Sequence, residues 1–261
     1  MTSARLGRLF DRSSGRSFMV AMDRTLSGGA EPFAVDSEAL VRSGVACGAD
    51  ALLLSPGLIR RHGHLAGYRG GPALVARIDF PFMGGDLQGP GEEFRLICSV
   101  EDAVGYGADA VVLLLVGGND GRAVFADNIR GVADVVAAAR PLGVPVIVEA
   151  VAWGPHVANT DPEAVTRLSR IAVELGADII KTEYPGSVEA MAHVVDSCAV
   201  PVMVLGGPRV GVPQLLDFTR DALDAGVRGV IYGRNIWQRE DSGEVASRIR
   251  ALVHGDGSGE G

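Results

Sequence analysis

One pattern recurs four times along this chain and restricts its fold more than any other feature. A glycine that closes a helix is followed by a small residue, then usually by Asp, then by a short apolar run. The copies are Gly48-Ala49-Asp50-Ala51-Leu52-Leu53-Leu54, Gly107-Ala108-Asp109-Ala110-Val111-Val112-Leu113, Gly176-Ala177-Asp178-Ile179-Ile180 and the looser Gly226-Val227-Arg228-Gly229-Val230-Ile231-Tyr232. Glycine takes the left-handed conformation at a helix end cheaply. A short, continuous apolar run suits a strand covered on both faces, as in a parallel sheet. Further runs at 18–22, 73–78, 144–149 and 200–205 bring the strands to eight. Helical patterns separate most of them, at 37–47, 100–106, 129–142, 162–175, 188–199, 212–225 and 240–253. Strands alternating with helices imply βαβ units, and eight such units favour a closed (β/α)8 barrel over an open sheet. The length of 261 residues suits one such domain, which typically needs about 250 residues. The expected layout is a barrel over 1–253 and a disordered tail over 254–261. Glycines crowd 57–72, where a long loop with a short helix is expected, and a second long loop is expected over 80–92.

Composition narrows the function. A 47% hydrophobic and 21% charged chain can build a sizeable core. A net charge of -8 without a basic tract argues against nucleic-acid binding, which runs on positive charge. No apolar run approaches the roughly 20 residues of a membrane span, and no apolar leader precedes the first strand. A cytoplasmic protein without membrane partners is expected. Cys47, Cys98 and Cys198 form neither a disulfide framework nor a zinc pattern and read as buried thiols. The five histidines form no helical ligand pair, so no metal and no cofactor are expected.

The chemistry of this fold class is built at the C-terminal ends of the strands. Lys181, the sole lysine of the chain, follows an apolar run at such an end. A lysine there must be paired or lose its charge, and a desolvated amine is a good nucleophile for a carbonyl. A side chain that snorkels to solvent is the plain alternative. Asp23 ends the first strand. Glu149 ends the fifth, and strand alternation turns it inward, toward Lys181 or toward an Arg of a neighbouring layer. The seventh strand runs into Gly206-Gly207-Pro208-Arg209 and the eighth into Gly233-Arg234-Asn235. Loops at these two positions commonly bind phosphate in barrels, through backbone N–H groups and an Arg. Gly206, Gly207, Arg209, Gly233 and Arg234 are therefore the candidate phosphate ligands. Arg77-Ile78-Asp79 and Gly117-Gly118-Asn119-Asp120 also stand at strand ends, as mouth residues, salt bridges or helix caps.

The segments Asp178-Ile179-Ile180-Lys181-Thr182-Glu183-Tyr184-Pro185-Gly186, Gly206-Gly207-Pro208-Arg209 and Gly233-Arg234-Asn235-Ile236-Trp237-Gln238 together resemble the archaeal-type class I fructose-bisphosphate aldolases. That group lies in the deoxyribose-phosphate aldolase superfamily and includes the 2-amino-3,7-dideoxyheptulosonate synthases. The resemblance runs from Met22-Asp23 to about Gln238. It implies a Schiff base between Lys181 and a phosphorylated ketone, with the phosphate on Gly206, Gly207, Gly233 and Arg234. Relatives read Met-Asp-His where this chain has Met22-Asp23-Arg24, and Tyr-Pro-Arg-Gly where alignment on Gly154 places Val151 at the tyrosine. The proton work of that tyrosine then falls to Glu149, Asp23 or a water they hold, with Tyr184 a lesser substitute.

The expectation is a Schiff-base-forming class I aldolase acting on a phosphorylated ketone. A specialised biosynthetic condensation or transfer fits better than glycolysis, with Arg24 recognising a second anionic group. A phosphosugar isomerase or epimerase without a covalent intermediate, and a non-catalytic phosphometabolite-binding barrel, are the alternatives. A homo-oligomer is expected, with Trp237 as a contact.

Overall fold

The computed structural model describes residues 4–29, 33–81, 94–118, 122–154 and 156–255. Eight parallel strands form its centre: β1 (Ser17–Ala21), β2 (Ala51–Leu54), β3 (Ala73–Arg77), β4 (Ala110–Gly117), β5 (Val146–Ala152), β6 (Ile179–Thr182), β7 (Val202–Leu205) and β8 (Gly229–Tyr232). They pair in chain order, and β8 returns to β1 to close the barrel. The helices between and after them are α1 (Ser37–Ala46), α2 (Pro56–His62), α3 (Val100–Gly105), α4 (Arg122–Leu142), α5 (Pro162–Glu174), α6 (Val188–Asp196), α7 (Val212–Asp224) and α8 (Ser242–His254). The chain is a single-domain (β/α)8 barrel.

Alternation along each strand divides the core in two. Met19, Leu53, Val75, Val112, Ile147, Ile179, Met203 and Ile231 fill the barrel interior, and Leu9 of the N-terminal segment joins them. The intervening residues, such as Val20, Leu52, Val148, Ile180 and Val204, pack outward against the helices. Buried branched residues on both faces are what a parallel sheet between two apolar layers requires.

The repeated Gly-Ala-Asp has a mechanical role. Gly48, Gly107, Gly176 and Gly226 all take positive φ, from 67 to 100°, and end their helices. The aspartate then clips its strand to the preceding one. Asp178 N–H donates to Val146 O at 2.9 Å, and its Oδ2 accepts from Val146 N at 2.9 Å. Asp50 holds Phe18 in the same way, at 2.8 and 2.7 Å, and Asp109 holds Leu74 at 2.7 and 3.0 Å. In the looser fourth copy Arg228 N–H still donates to Val202 O at 2.8 Å, but an arginine side chain has nothing to accept with.

Several elements differ from the expectation. Helix α4 begins at Arg122 rather than near 129. Polar Asn128 obscured its apolar stripe, yet that side chain is buried against β4, accepting from Val116 N at 2.7 Å and donating to Leu114 O at 2.8 Å. An unforeseen antiparallel ribbon, Asp79–Pro81 with Phe94–Leu96, follows β3. Helix α8 takes in His254, whose Nε2 lies 3.0 Å from Asp50 Oδ2. Residues 256–261 of the expected tail, 82–93 of the expected loop, and Asn119 and Asp120 lie outside the described residues. Trp237 is not a surface contact: it is buried, and its Nε1 donates to Ala21 O at 2.8 Å. Of the three thiols only Cys47 is buried, because Cys98 and Cys198 stand at element edges and are half-exposed.

The aspartate clip is testable by unfolding. Asp178→Ala leaves the Val146 N–H without its partner and is expected to destabilise by about 1–3 kcal/mol in urea titration. Asp178→Asn keeps an oxygen acceptor and should recover much of the loss. Equal losses in the two variants would assign the effect to charge instead.

Candidate active site

A cavity of about 250 Å³ opens at the C-terminal mouth of the barrel. A larger hollow, about 690 Å³, lies against α5 and α6, away from the strand ends where barrel chemistry is built. The mouth cavity is the candidate site because titratable side chains from several strands converge there.

Lys181 follows inward-facing Ile179 by two residues, so it too points into the barrel, and it is 5% exposed. The β5–β6 register sets Glu149 directly beside it, with Lys181 Nζ 2.7 Å from Glu149 Oε1. The other carboxylate oxygen of Glu149 accepts from Arg77 Nη2. Arg77, the last residue of β3, is 3% exposed. Its Nε donates to Asp23 Oδ2 at 2.8 Å and its Nη1 to Asp79 Oδ1 at 3.2 Å. Asp79 Oδ2 in turn accepts from Leu114 N at 2.8 Å. Both sequence readings of Glu149 hold, since it meets the lysine and an arginine together.

These contacts set the protonation states. Burial alone would raise the Glu149 pKa, but the Lys181 ammonium and the Arg77 guanidinium outweigh it and hold the carboxylate well below its usual range. Burial works against the Arg77 charge, and Glu149, Asp23 and Asp79 more than compensate, so its pKa is raised. Glu183 behaves in the opposite sense. Burial and the neighbouring Glu149 charge push it up to about 7, against the pull of Lys181 and Arg234.

Asp23 and Arg24 line the cavity after β1, and Gly206, Gly207, Gly233 and Arg234 line it after β7 and β8. Buried Asn235 braces these last two loops. Its Nδ2 donates to Gly206 O at 2.7 Å and Pro208 O at 3.0 Å, while its Oδ1 accepts from Val210 N at 2.9 Å. Arg234 Nη2 donates to Gly207 O at 3.3 Å. A Cβ at Gly206 would lie 2.9 Å from the Tyr232 ring, and one at Gly233 would lie 3.0 Å from Ala21 O. A side chain at either position would crowd the protein's own atoms, which is why glycine suits both turns.

Two expectations are corrected. Arg209 is exposed and does not line the cavity; the chain turns at Gly207, with φ 59°, and Pro208 carries the arginine outward. Tyr184 faces away from Lys181 because alternate residues of the strand point to opposite sides, and its ring packs edge-on against Phe218 at 5.0 Å. Glu183, Trp153 and Asn159 are cavity residues that sequence reading passed over. Strand parity with Lys181 was the signal available for Glu183, and parity with Glu149 the signal for Trp153. Asn159 lies in a loop and offered none.

Removing Arg77 leaves three carboxyl groups without their shared cation. Arg77→Met is expected to destabilise the protein by about 3–5 kcal/mol, measured by chemical denaturation. A loss below about 1 kcal/mol, the scale of exposed ion pairs, would show that water reaches and screens the cluster.

Comparison with known proteins agrees with this geometry. The model of the DeoC/LacD family aldolases matches residues 17–239. A 2-amino-3,7-dideoxy-D-threo-hept-6-ulosonate synthase of Halobacterium salinarum is 38% identical over 258 residues, covering 99% of this chain and 93% of its own. A 2-amino-4,5-dihydroxy-6-oxo-7-(phosphonooxy)heptanoate synthase of Streptomyces griseus is 32% identical over 261 residues, covering 98% and 91%. Among solved structures, an archaeal fructose-1,6-bisphosphate aldolase with its catalytic lysine bound to the carbinolamine intermediate superposes with a TM-score of 0.83 at 28% identity, covering 96% of this chain and 98% of that one. This chain belongs to the DeoC/LacD aldolase family and is a class I, Schiff-base-forming aldolase.

Proposed function

We propose that Lys181 is the Schiff-base lysine, that the donor is a phosphorylated ketone of the dihydroxyacetone-phosphate type, and that the acceptor is an aldehyde bearing its own anionic group. The observation that carries this reading is the chain's sole lysine, inward-facing and buried, at a cavity that Gly206, Gly207, Gly233 and Arg234 also line. The amine adds to the ketone carbon, water leaves, and the resulting iminium draws electrons from the adjacent carbon. Glu149, 2.7 Å from the nitrogen, orients the amine and stabilises the iminium charge. Because Glu149 and Asp23 both engage Arg77, they serve this reading as fixed negative charges rather than as proton shuttles. The two glycine loops and Arg234 hold the donor phosphate and position the reacting carbon.

The names of the two synthases support the choice of acceptor. Each product carries an amino group at C2 and a ketone at C6. An aldol step joins C4 to C5 in both, so the acceptor half is in each case a four-carbon 2-amino acid with a terminal aldehyde. Arg24, at the cavity wall, is the cation we assign to its carboxylate. Val151, where relatives of the fructose-bisphosphate type carry a tyrosine, favours such a biosynthetic condensation over glycolytic cleavage. We further infer a cytoplasmic homo-oligomer. Exposed Phe33 and Val35 offer it an apolar surface, and no helix among the described residues is long and apolar enough to cross a membrane. Sedimentation tests the assembly.

Borohydride reduction in the presence of dihydroxyacetone phosphate is expected to leave a stable adduct on Lys181, seen by peptide mass spectrometry. Lys181→Arg should abolish the adduct and lower turnover by roughly 10⁴-fold or more. Turnover retained by that variant would instead point to a cation acting without covalent chemistry. Arg24→Met should raise KM for the amino-acid aldehyde about 10- to 100-fold, the scale of one charged hydrogen bond. It should leave KM for glycolaldehyde unchanged, and equal effects on both aldehydes would refute the assignment.

A further inference from the structure

We propose that Glu183 is the acid–base group of this enzyme, taking the proton from the carbon beside the Schiff base and delivering it to the acceptor oxygen. The inference rests on the Lys181 reading above and adds the proton carrier that Glu149 and Asp23 are too firmly paired to be.

Three carboxylates line the cavity: Asp23, Glu149 and Glu183. Asp23 is bound by Arg77, and Glu149 by both Arg77 and Lys181. Among the described residues, Glu183 has no salt-bridging cation. It stands two residues beyond Lys181, just past the end of β6, and lines the same cavity as the lysine. The titratable and charged groups facing it are Asp23 and Arg24 after β1, Arg77 on β3, Glu149 on β5, Lys181 on β6 and Arg234 after β8. In that field its pKa stands at about 7, where a group serves as base and as acid in one cycle.

The step balances without a co-reactant. Glu183 carboxylate accepts the proton, and the C–H electron pair becomes the enamine double bond as the iminium nitrogen regains its lone pair. The enamine carbon then bonds to the aldehyde carbon. The carbonyl π pair moves to the aldehyde oxygen, which takes the proton back from Glu183. Water hydrolyses the iminium and frees Lys181.

The test measures two events in wild type, Glu183→Gln and Glu183→Asp with dihydroxyacetone phosphate as probe. Borohydride trapping reports the Schiff base, and deuterium incorporation from D2O at the hydroxymethyl carbon, followed by NMR, reports the proton transfer. We expect a Lys181 adduct in all three proteins. Exchange should be lowered about 10²- to 10⁴-fold in Glu183→Gln and partly restored in Glu183→Asp. Wild-type exchange should rise with pH through about 7 as Glu183 ionises, and this limb should vanish in Glu183→Gln. Undiminished exchange in Glu183→Gln with the adduct intact overturns the role of Glu183 alone. Loss of the adduct in Glu183→Gln makes the residue structural and overturns it as well. Absence of an adduct in the wild type overturns the Schiff-base reading on which the proposal stands.

Discussion

The Arg77 guanidinium, buried at the mouth of the barrel, meets carboxyl groups from three directions: Asp23 after β1, Asp79 in the ribbon after β3 and Glu149 on β5. Lys181 completes the cluster through Glu149. Taking such charges out of water is expensive unless each is paired and hydrogen-bonded. The closed barrel makes the pairing geometrically possible, because it brings ends of strands distant in sequence to one small opening. The network in turn fixes the orientation of the lysine nitrogen. A lysine on a four-carbon stem is otherwise a mobile point charge, and an unheld amine would lose the positional advantage of an enclosed site.

The fold was legible because its construction rule repeats. The glycine that ends each helix, the aspartate that clips strand to strand and the apolar run that follows are local signals, and each does one mechanical job. Strand count and the positions of the glycine loops after β7 and β8 followed from them. Asn128 shows where such reading fails. Its polarity marks a surface position in a helical pattern, whereas its amide actually satisfies two backbone groups of β4. The ribbon after β3 was equally hidden, since three-residue strands carry too little alternation to register.

The site was legible one strand at a time. Lys181, Glu149 and Asp23 could be placed at strand ends by parity, and Arg77 was visible as a mouth residue. That one guanidinium unites all the others was not, because the distance from β3 across to β1 and β5 belongs to the closed tertiary structure. Arg209 failed for a local reason, the turn at Gly207 and Pro208. Tyr184 was discounted too weakly: the same alternation that turned Lys181 inward necessarily turned Tyr184 toward Phe218.

That alternation also separates two duties among chemically equivalent carboxylates. Glu149 and Glu183 sit at the same mouth, one beside the lysine and one two residues past it. Cations on both sides drive the pKa of Glu149 down, while burial and the Glu149 charge itself drive that of Glu183 up. The ionised state of the first therefore helps to hold the second near neutrality. A permanently charged carboxylate stabilises an iminium but is a poor proton acceptor; one poised near 7 is a competent proton carrier but contributes little fixed charge. Arg77 is what keeps the two apart. By pairing with Glu149 and Asp23, it leaves Glu183 as the cavity carboxylate to which we assign the change of protonation during the reaction.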